Sequence, residues 1–134
     1  MNKVFIDSNI VLYLMDEDEQ KRTIAAQILA LRPLISPQVL TETANVCKRR
    51  FKYTKEQILN LWADLTNDCF LVPTDVTIFS DAIKLSKQYN FQVFDALIVA
   101  SALKAGCKTL YSEDMQHKML VEKSLTIINP FAQS

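Results

Sequence analysis

Short apolar segments of strand length alternate with longer amphipathic segments of helix length along almost the whole chain. The strand-like segments lie at residues 3–6, 34–35, 70–72, 108–111 and 125–128. Apolar runs of this length between turn residues are typical of buried strands. Strands that alternate with helices favour an α/β sandwich with a mainly parallel sheet. At 134 residues, the chain is expected to form one domain, residues 1–134.

Capping signals predict where the intervening helices begin and end. Ser36 followed by Pro37 is typical of a helix N-terminus, and residues 54–57 have the form of a capping box. Gly106 suits the left-handed position that follows a helix. The sequence thus predicts helices at residues 16–31, from residue 37 onward, at 54–68 and at 94–105. A further helix is expected to begin after a cap at Thr74 or Asp75. Its inward-facing residues are expected to be Ile78, Ala82, Ile83 and Leu85.

The composition excludes several kinds of chemistry. One glycine rules out a dinucleotide-binding turn or a glycine-rich phosphate loop, and one histidine rules out a multi-histidine zinc centre. Three cysteines at unrelated spacings predict reduced core residues. Without a signal-peptide layout or a membrane-length apolar run, the cytoplasm is the expected location. The net charge of zero means that contact with a polynucleotide would need a local basic patch, a metal or a partner.

Four acidic residues remain as the main candidates for chemistry: Asp7, Glu42, Asp95 and Asp114. Asp7 and Asp114 each follow a predicted strand, and ligands of parallel sheets bind outside the carboxyl ends of the strands. Asp95 is the one carboxylate in an apolar helix, where a lone buried charge is costly. Each acid also has a plainer interpretation: a turn or cap at Asp7, a surface pair of Glu42 with Arg49, a first-turn anion at Asp95, and a loop at Asp114.

Taken together, the four carboxylates predict a hard oxygen-ligand site. Mg²⁺ and Mn²⁺ prefer such ligands and keep waters for catalysis. Two ions about 3.5–4 Å apart would suit in-line phosphodiester cleavage. The sequence therefore favours a metal-dependent nuclease. An aspartyl-phosphate mechanism is disfavoured, because Asn9 stands where such folds carry a second aspartate.

Four segments in order resemble the PIN-domain ribonucleases, and among them the VapC-type toxins: FIDSNIVLYLM, ISPQVLTETANVCKRR, FDALIVASALKAGCKTLYSEDM and LTIINPF. The resemblance implies a three-layer α/β/α sandwich with a central parallel sheet. It also implies that Asp7, Glu42, Asp95 and Asp114 are catalytic and metal-coordinating, with Asn9 and Ser112 as accessory polar residues. Residues 115–117, Met-Gln-His, depart from the family, since many relatives carry a further acid or an aromatic residue there.

The same resemblance implies Mg²⁺ or Mn²⁺ as cofactor, RNA as substrate, a homodimer, and inhibition by a cognate antitoxin protein. The cluster at residues 48–55 contains Arg49, Arg50 and Lys52 and is predicted to contact RNA. The alternative is that these cations only stabilise a helix C-terminus. Two other functions stay open from the sequence: a housekeeping PIN nuclease in RNA processing and a non-catalytic PIN-fold binding module.

Overall fold

The computed structural model describes residues 3–132, which contain one six-stranded sheet in the order β3-β2-β1-β4-β6-β5. All neighbouring strands are parallel except β5 and β6, which are antiparallel. The strands are β1 (Val4–Ile6), β2 (Leu34–Ile35), β3 (Phe70–Leu71), β4 (Thr109–Tyr111), β5 (Leu120–Val121) and β6 (Leu125–Ile128).

Six α-helices connect these strands within the described part of the chain. They are α1 (Ser8–Leu12), α2 (Glu19–Leu29), α3 (Pro37–Phe51), α4 (Lys55–Asp68), α5 (Val76–Tyr89) and α6 (Val93–Lys104). A 3₁₀ turn, Tyr13–Met15, follows α1 directly.

The helices form two groups on opposite faces of the sheet. From β1 the chain proceeds through α1 and α2 to β2, and through α3 and α4 to β3, always in one direction across the sheet. It then returns through α5 and α6 to β4, on the other side of β1. Right-handed crossovers in opposite directions place their helices on opposite faces. The predicted three-layer α/β/α arrangement with a mainly parallel sheet is therefore confirmed.

Most predicted helix starts are confirmed. Pro37 is the first residue of α3, and the capping box is complete, with Thr54 and Gln57 bonded to each other's backbone N–H groups at 3.2 and 2.8 Å. Asp75, rather than Thr74, caps α5. Gly106 has φ +78°, as expected after α6.

Four details of the prediction are wrong. The helix expected at residues 16–31 begins later, at Glu19, because Asp18 caps it, and it ends at Leu29. Neither α1 nor β5, which are five and two residues long, was predicted. Ile83 does not face inward and is 58% exposed, because the buried stripe of α5 runs through Ile78, Ala82 and Leu85.

The core lies on both sides of the central strands. Phe5, Leu110 and Ile127, from three adjacent strands, are fully buried, and the largely apolar α6 packs among them. Cys47, Cys69 and Cys107 are buried free thiols, as predicted. A helix with the length and apolar character to cross a membrane does not occur in residues 3–132.

Candidate functional site

The site lies at the carboxyl end of β1 and β4, the two central strands. Asp7 directly follows β1, and its backbone N–H donates to the carbonyl of Tyr111 in β4 at 3.0 Å. The chain leaves β1 toward β2 on one side, whereas β4 lies on the other side. Such a change of direction opens a crevice above the sheet, which is where open α/β sheets bind ligands.

Asp7 is 4% exposed and is held by hydrogen bonds to both carboxylate oxygens. Oδ1 accepts from the backbone N–H of Ser8 at 2.7 Å, so Asp7 caps α1. Oδ2 accepts from the hydroxyl of Ser112, the residue after β4, at 2.9 Å, so this bond joins the ends of two neighbouring strands. The cap interpretation of Asp7 is thus correct, and its second oxygen is bonded to the residue that follows β4.

Asn9 connects Asp7 to Asp114. Its Nδ2 donates to Asp114 Oδ2 at 3.1 Å and lies 3.5 Å from Asp7 Oδ2. Its Oδ1 accepts from the backbone N–H of Glu113 at 3.2 Å, which fixes the loop after β4. The Glu113 carboxylate instead accepts from Tyr13 Oη at 2.6 and 2.7 Å, so of these two neighbouring acids only Asp114 faces Asn9.

Glu42 reaches the same crevice from α3. Its Oε2 accepts from the Ser8 hydroxyl at 3.2 Å, and that hydroxyl is also 3.5 Å from Asp7 Oδ1. Its Oε1 accepts from Gln38 Nε2 at 2.5 Å. The alternative of a surface glutamate paired with Arg49 is therefore wrong.

Asp95 lies in the first turn of α6 and is half-buried. The helix is capped by Gln92, whose Oε1 accepts from the backbone N–H groups of Phe94 and Asp95. In the described part of the chain, no hydrogen bond to the Asp95 carboxylate itself is found. Capping therefore does not account for this acid.

The four carboxylates act on one another electrostatically. Burial raises the pKa of Asp7 from 3.8 to about 6, even though the bonds from Ser112 and Ser8 lower it. The charges of Glu42 and Asp95 raise it further. Burial also raises the pKa of Asp95, and the charges of Asp114 and Glu42 add to that effect. The structure thus brings all four predicted acids into one cluster, with Asn9 and Ser112 bonded within it.

The donor set suits a hard divalent cation. All of its side-chain donor atoms are oxygens. A cation would offset the buried charge of Asp7 and would give Asp95 the partner that it lacks within residues 3–132. Within residues 3–132, however, no three acidic, histidine or cysteine side chains already converge on one point. Mg²⁺ does not need such a cage, because it commonly binds one or two carboxylates and keeps several waters. The residues present therefore fit Mg²⁺ or Mn²⁺.

The basic cluster lies at the C-terminal end of α3. Lys48, Arg49 and Arg50 occupy the last turn of the helix, and Lys52 caps it in a left-handed conformation. All are exposed, and none takes part in the ion pairs found in residues 3–132. Arg49 lies seven residues beyond Glu42, on the same helix face and about 10 Å along the axis.

The residues that depart from the family pattern have structural contacts. Met115 is buried in the core, and His117 accepts a backbone bond from Asn129 at 2.9 Å. The sequence did not single out Ser8 and Gln38 as residues that hold Glu42 in place. The one available signal was their location: Ser8 follows Asp7, and Gln38 precedes Glu42 by one helical turn.

The fold and the site together define an α/β protein with an acidic cluster at the switch point of a parallel sheet. The family model of the PIN domain matches residues 4–121 of the chain. The chain therefore belongs to the PIN-domain family, as the sequence motifs predicted. No curated protein matches it in sequence.

Several solved structures share this fold, and they include VapC toxins. The VapC20 toxin of Mycobacterium tuberculosis, described as cleaving the sarcin-ricin loop, is 18% identical with a TM-score of 0.68, over 84% of this chain and 90% of that one. A toxin–antitoxin complex from Klebsiella pneumoniae is 18% identical with a TM-score of 0.72, and the match covers 96% of this chain and 98% of that one. The DNA-bound VapBC of Salmonella typhimurium is 15% identical with a TM-score of 0.66, and the match covers 95% of this chain and 97% of that one.

Proposed function

We propose that this protein is a divalent-metal-dependent endoribonuclease that hydrolyses RNA phosphodiester bonds, and that it acts as the toxin of a toxin–antitoxin pair. The observation that carries the proposal is the cluster of Asp7, Glu42, Asp95 and Asp114 at the switch point of the sheet. The similarity to a toxin described as cleaving RNA, and to toxin–antitoxin complexes, supports the choice of substrate and setting.

In the proposed mechanism the protein supplies a rigid set of oxygen ligands. A bound Mg²⁺ or Mn²⁺ would activate water and neutralise charge on the phosphate. Ser112 and Ser8 hold the Asp7 carboxylate, and Asn9 fixes Asp114 beside it. The Asp95 carboxylate has no hydrogen bond within residues 3–132 and lies close enough to Asp114 for that charge to raise its pKa, and it is proposed to complete the ligand set.

The proposal predicts metal-dependent cleavage that requires Asp95. A mixed pool of cellular RNAs is incubated with the protein in Mg²⁺, Mn²⁺ or EDTA. We expect discrete products with metal and none with EDTA, and at least a ~100-fold lower rate for Asp95→Asn, because several kcal/mol of transition-state stabilisation are lost. Asp64→Asn, at an exposed acid on α4, serves as the control and keeps the wild-type rate. Cleavage by Asp95→Asn at the wild-type rate would exclude this assignment.

Arg49, Arg50 and Lys52 are proposed to hold the RNA backbone. Replacing all three by alanine should raise KM with little change in kcat, because the contacts are uniform binding contacts far from the reacting phosphate. The slope of log Kd against the logarithm of the salt concentration should decrease by about 2, because each lost phosphate contact lowers it by roughly 0.7. The triple variant Lys84→Ala, Lys108→Ala and Lys123→Ala removes the same charge elsewhere. If the two triple variants change KM and the salt dependence of Kd equally, RNA binding depends only on the net charge of the protein.

A homodimer is proposed as the assembly, supported by an apolar groove of about 360 Å³ between α5 and α6. Ile83 and Val93 line it at 58% and 65% exposure, which is costly in water for side chains of this size. The variant that carries both Ile83→Glu and Val93→Glu should sediment as a monomer, with the wild type as a dimer. A monomeric wild type would contradict the dimer and leave the groove to the proposed antitoxin partner.

A further inference from the structure

A groove of about 560 Å³ lies beside β3, the strand at one edge of the sheet. Leu31, Phe70 and Leu71 line it, and these side chains are 59%, 54% and 45% exposed. Val4 and Leu34, which also line it, are the first residues of β1 and β2. The groove is thus separate from the acidic cluster, which lies at the carboxyl ends of β1 and β4. Adjoining exposed apolar side chains of this kind mark an interaction surface.

Two cations also line this edge groove. They are Lys3 and Arg32, and no acidic side chain of residues 3–132 lines it. Neither cation takes part in the ion pairs found in that part of the chain. The Arg32 guanidinium lies 5.1 Å from the centre of the Phe70 ring. Lys3 Nζ donates to the carbonyl of Ala105 at 3.3 Å, which uses one of its three N–H groups. The edge groove is therefore positively charged as well as apolar.

The backbone of β3 offers hydrogen-bonding groups on the side away from β2. The N–H of Phe70 donates to the carbonyl of Pro33 at 3.0 Å, toward β2. The N–H of Val72 donates in the same direction, to the carbonyl of Ile35 at 2.8 Å. Because the backbone groups of successive strand residues point to alternate sides, the N–H and C=O of Leu71 point outward. In residues 3–132 no strand adjoins β3 on that side, and such an edge is a template for a further strand.

We propose that the edge groove binds an extended segment of a partner protein that carries both apolar and acidic side chains. The segment adds to β3 as a further strand, with its backbone bonded to Leu71. Its apolar side chains cover Leu31 and Phe70, and its carboxylates lie beside Lys3 and Arg32.

The charge of the edge groove selects this occupant over two others. A second copy of the chain, bound symmetrically, would bring the same two cations face to face. A nucleic acid would neutralise the cations but would leave the outward N–H and C=O of Leu71 without a strand partner. An acidic and apolar strand satisfies the charge, the exposed apolar side chains and the backbone together.

The test is the binding of synthetic peptides. In one fluorescein-labelled octapeptide, pairs of valines alternate with pairs of glutamates, so that each face of the strand carries both kinds of side chain. A second octapeptide has lysine in place of glutamate. Both are titrated with the wild type, Arg32→Glu and Arg50→Glu. Arg50 is the matched control, because it is also an exposed arginine beside a phenylalanine ring, at 5.3 Å from Phe51, and it lies outside the edge groove.

We expect the wild type and Arg50→Glu to bind the acidic peptide about tenfold more tightly than the basic one, and Arg32→Glu to lose that preference. Amide exchange measured by NMR should show that the saturating acidic peptide slows exchange at Leu71 in the wild type, because its N–H becomes bonded to the added strand. Equal binding of the two peptides by the wild type, or the same loss of preference in both variants, would overturn the proposal. So would peptide binding that leaves exchange at Leu71 unchanged. Displacement of the bound peptide by an RNA hexamer would assign the edge groove to nucleic acid instead.

Discussion

Replacing Asp7 by asparagine is expected to make the metal-free protein more stable while abolishing RNA cleavage. The buried Asp7 carboxylate has its pKa raised from 3.8 to about 6, so the folded protein disfavours its charged form at pH 7. One pKa unit corresponds to about 1.4 kcal/mol, and a neutral isostere should therefore raise the free energy of unfolding at pH 7 by about 1–3 kcal/mol. Denaturant unfolding in EDTA, beside an RNA cleavage assay, measures both effects.

The sign of the pH dependence follows from the same shift. A folded-state pKa above the unfolded one adds stability below pH 3.8, and that stability is lost as pH rises through about 6. Between pH 7 and pH 5 the wild type should gain about 1 kcal/mol from Asp7, a gain that Asp7→Asn lacks. Asp75, whose pKa is lowered to about 2 by its bonds to Thr77 and Lys104, does not titrate in this range. If Asp7→Asn lowers the free energy of unfolding at pH 7 in EDTA, the buried Asp7 carboxylate does not destabilise the metal-free protein.

Adding Mn²⁺ to the purified protein is expected to raise its free energy of unfolding by about 2.7 kcal/mol at 100 times Kd. For a chain of this size the shift in Tm is roughly 10 °C. The gain arises because an ion bound only to the folded state neutralises carboxylates that otherwise repel one another. A calorimetric scan of wild type, Asp7→Asn and the exposed-site control Asp64→Asn measures it. Asp64→Asn should retain the full response and Asp7→Asn should lose it, whereas equal shifts in all three would mean that Mn²⁺ binds elsewhere.

Three of the four acids, Asp7, Asp95 and Asp114, could be singled out from the sequence because each lies at a position with a clear local signal, whereas Glu42 on its amphipathic helix had none. Asp7 and Asp114 follow apolar strands, and parallel strands bring their carboxyl ends to one edge of the sheet. Asp95 stood out as the lone charge in an apolar helix, a signal that depends on composition alone. The bonds that fix these acids could not be predicted in the same way. The contact between Gln38 and the backbone of Phe94 exists only once α3 and α6 pack together.

One element that escaped prediction, β5, is followed by a turn that lacks the usual turn residues. The β5–β6 turn contains Glu122 and Lys123 at φ +51° and +58°, a conformation that glycine or asparagine ordinarily marks. With one glycine in the chain, turns of this kind carry no signal in the sequence. Ile83 was misplaced for a different reason: α5 has a second apolar stripe, which is exposed and borders the groove between α5 and α6.

The four carboxylates are proposed to hold the catalytic cation. Crystals grown with Mn²⁺ and measured at the manganese absorption edge test it directly, because anomalous scattering locates the ion without reference to activity. We expect a peak about 2.1 Å from a carboxylate oxygen of Asp7 and within the same cluster as Asp95 and Asp114. Manganese bound only at other sites, in a protein that cleaves RNA, would contradict it.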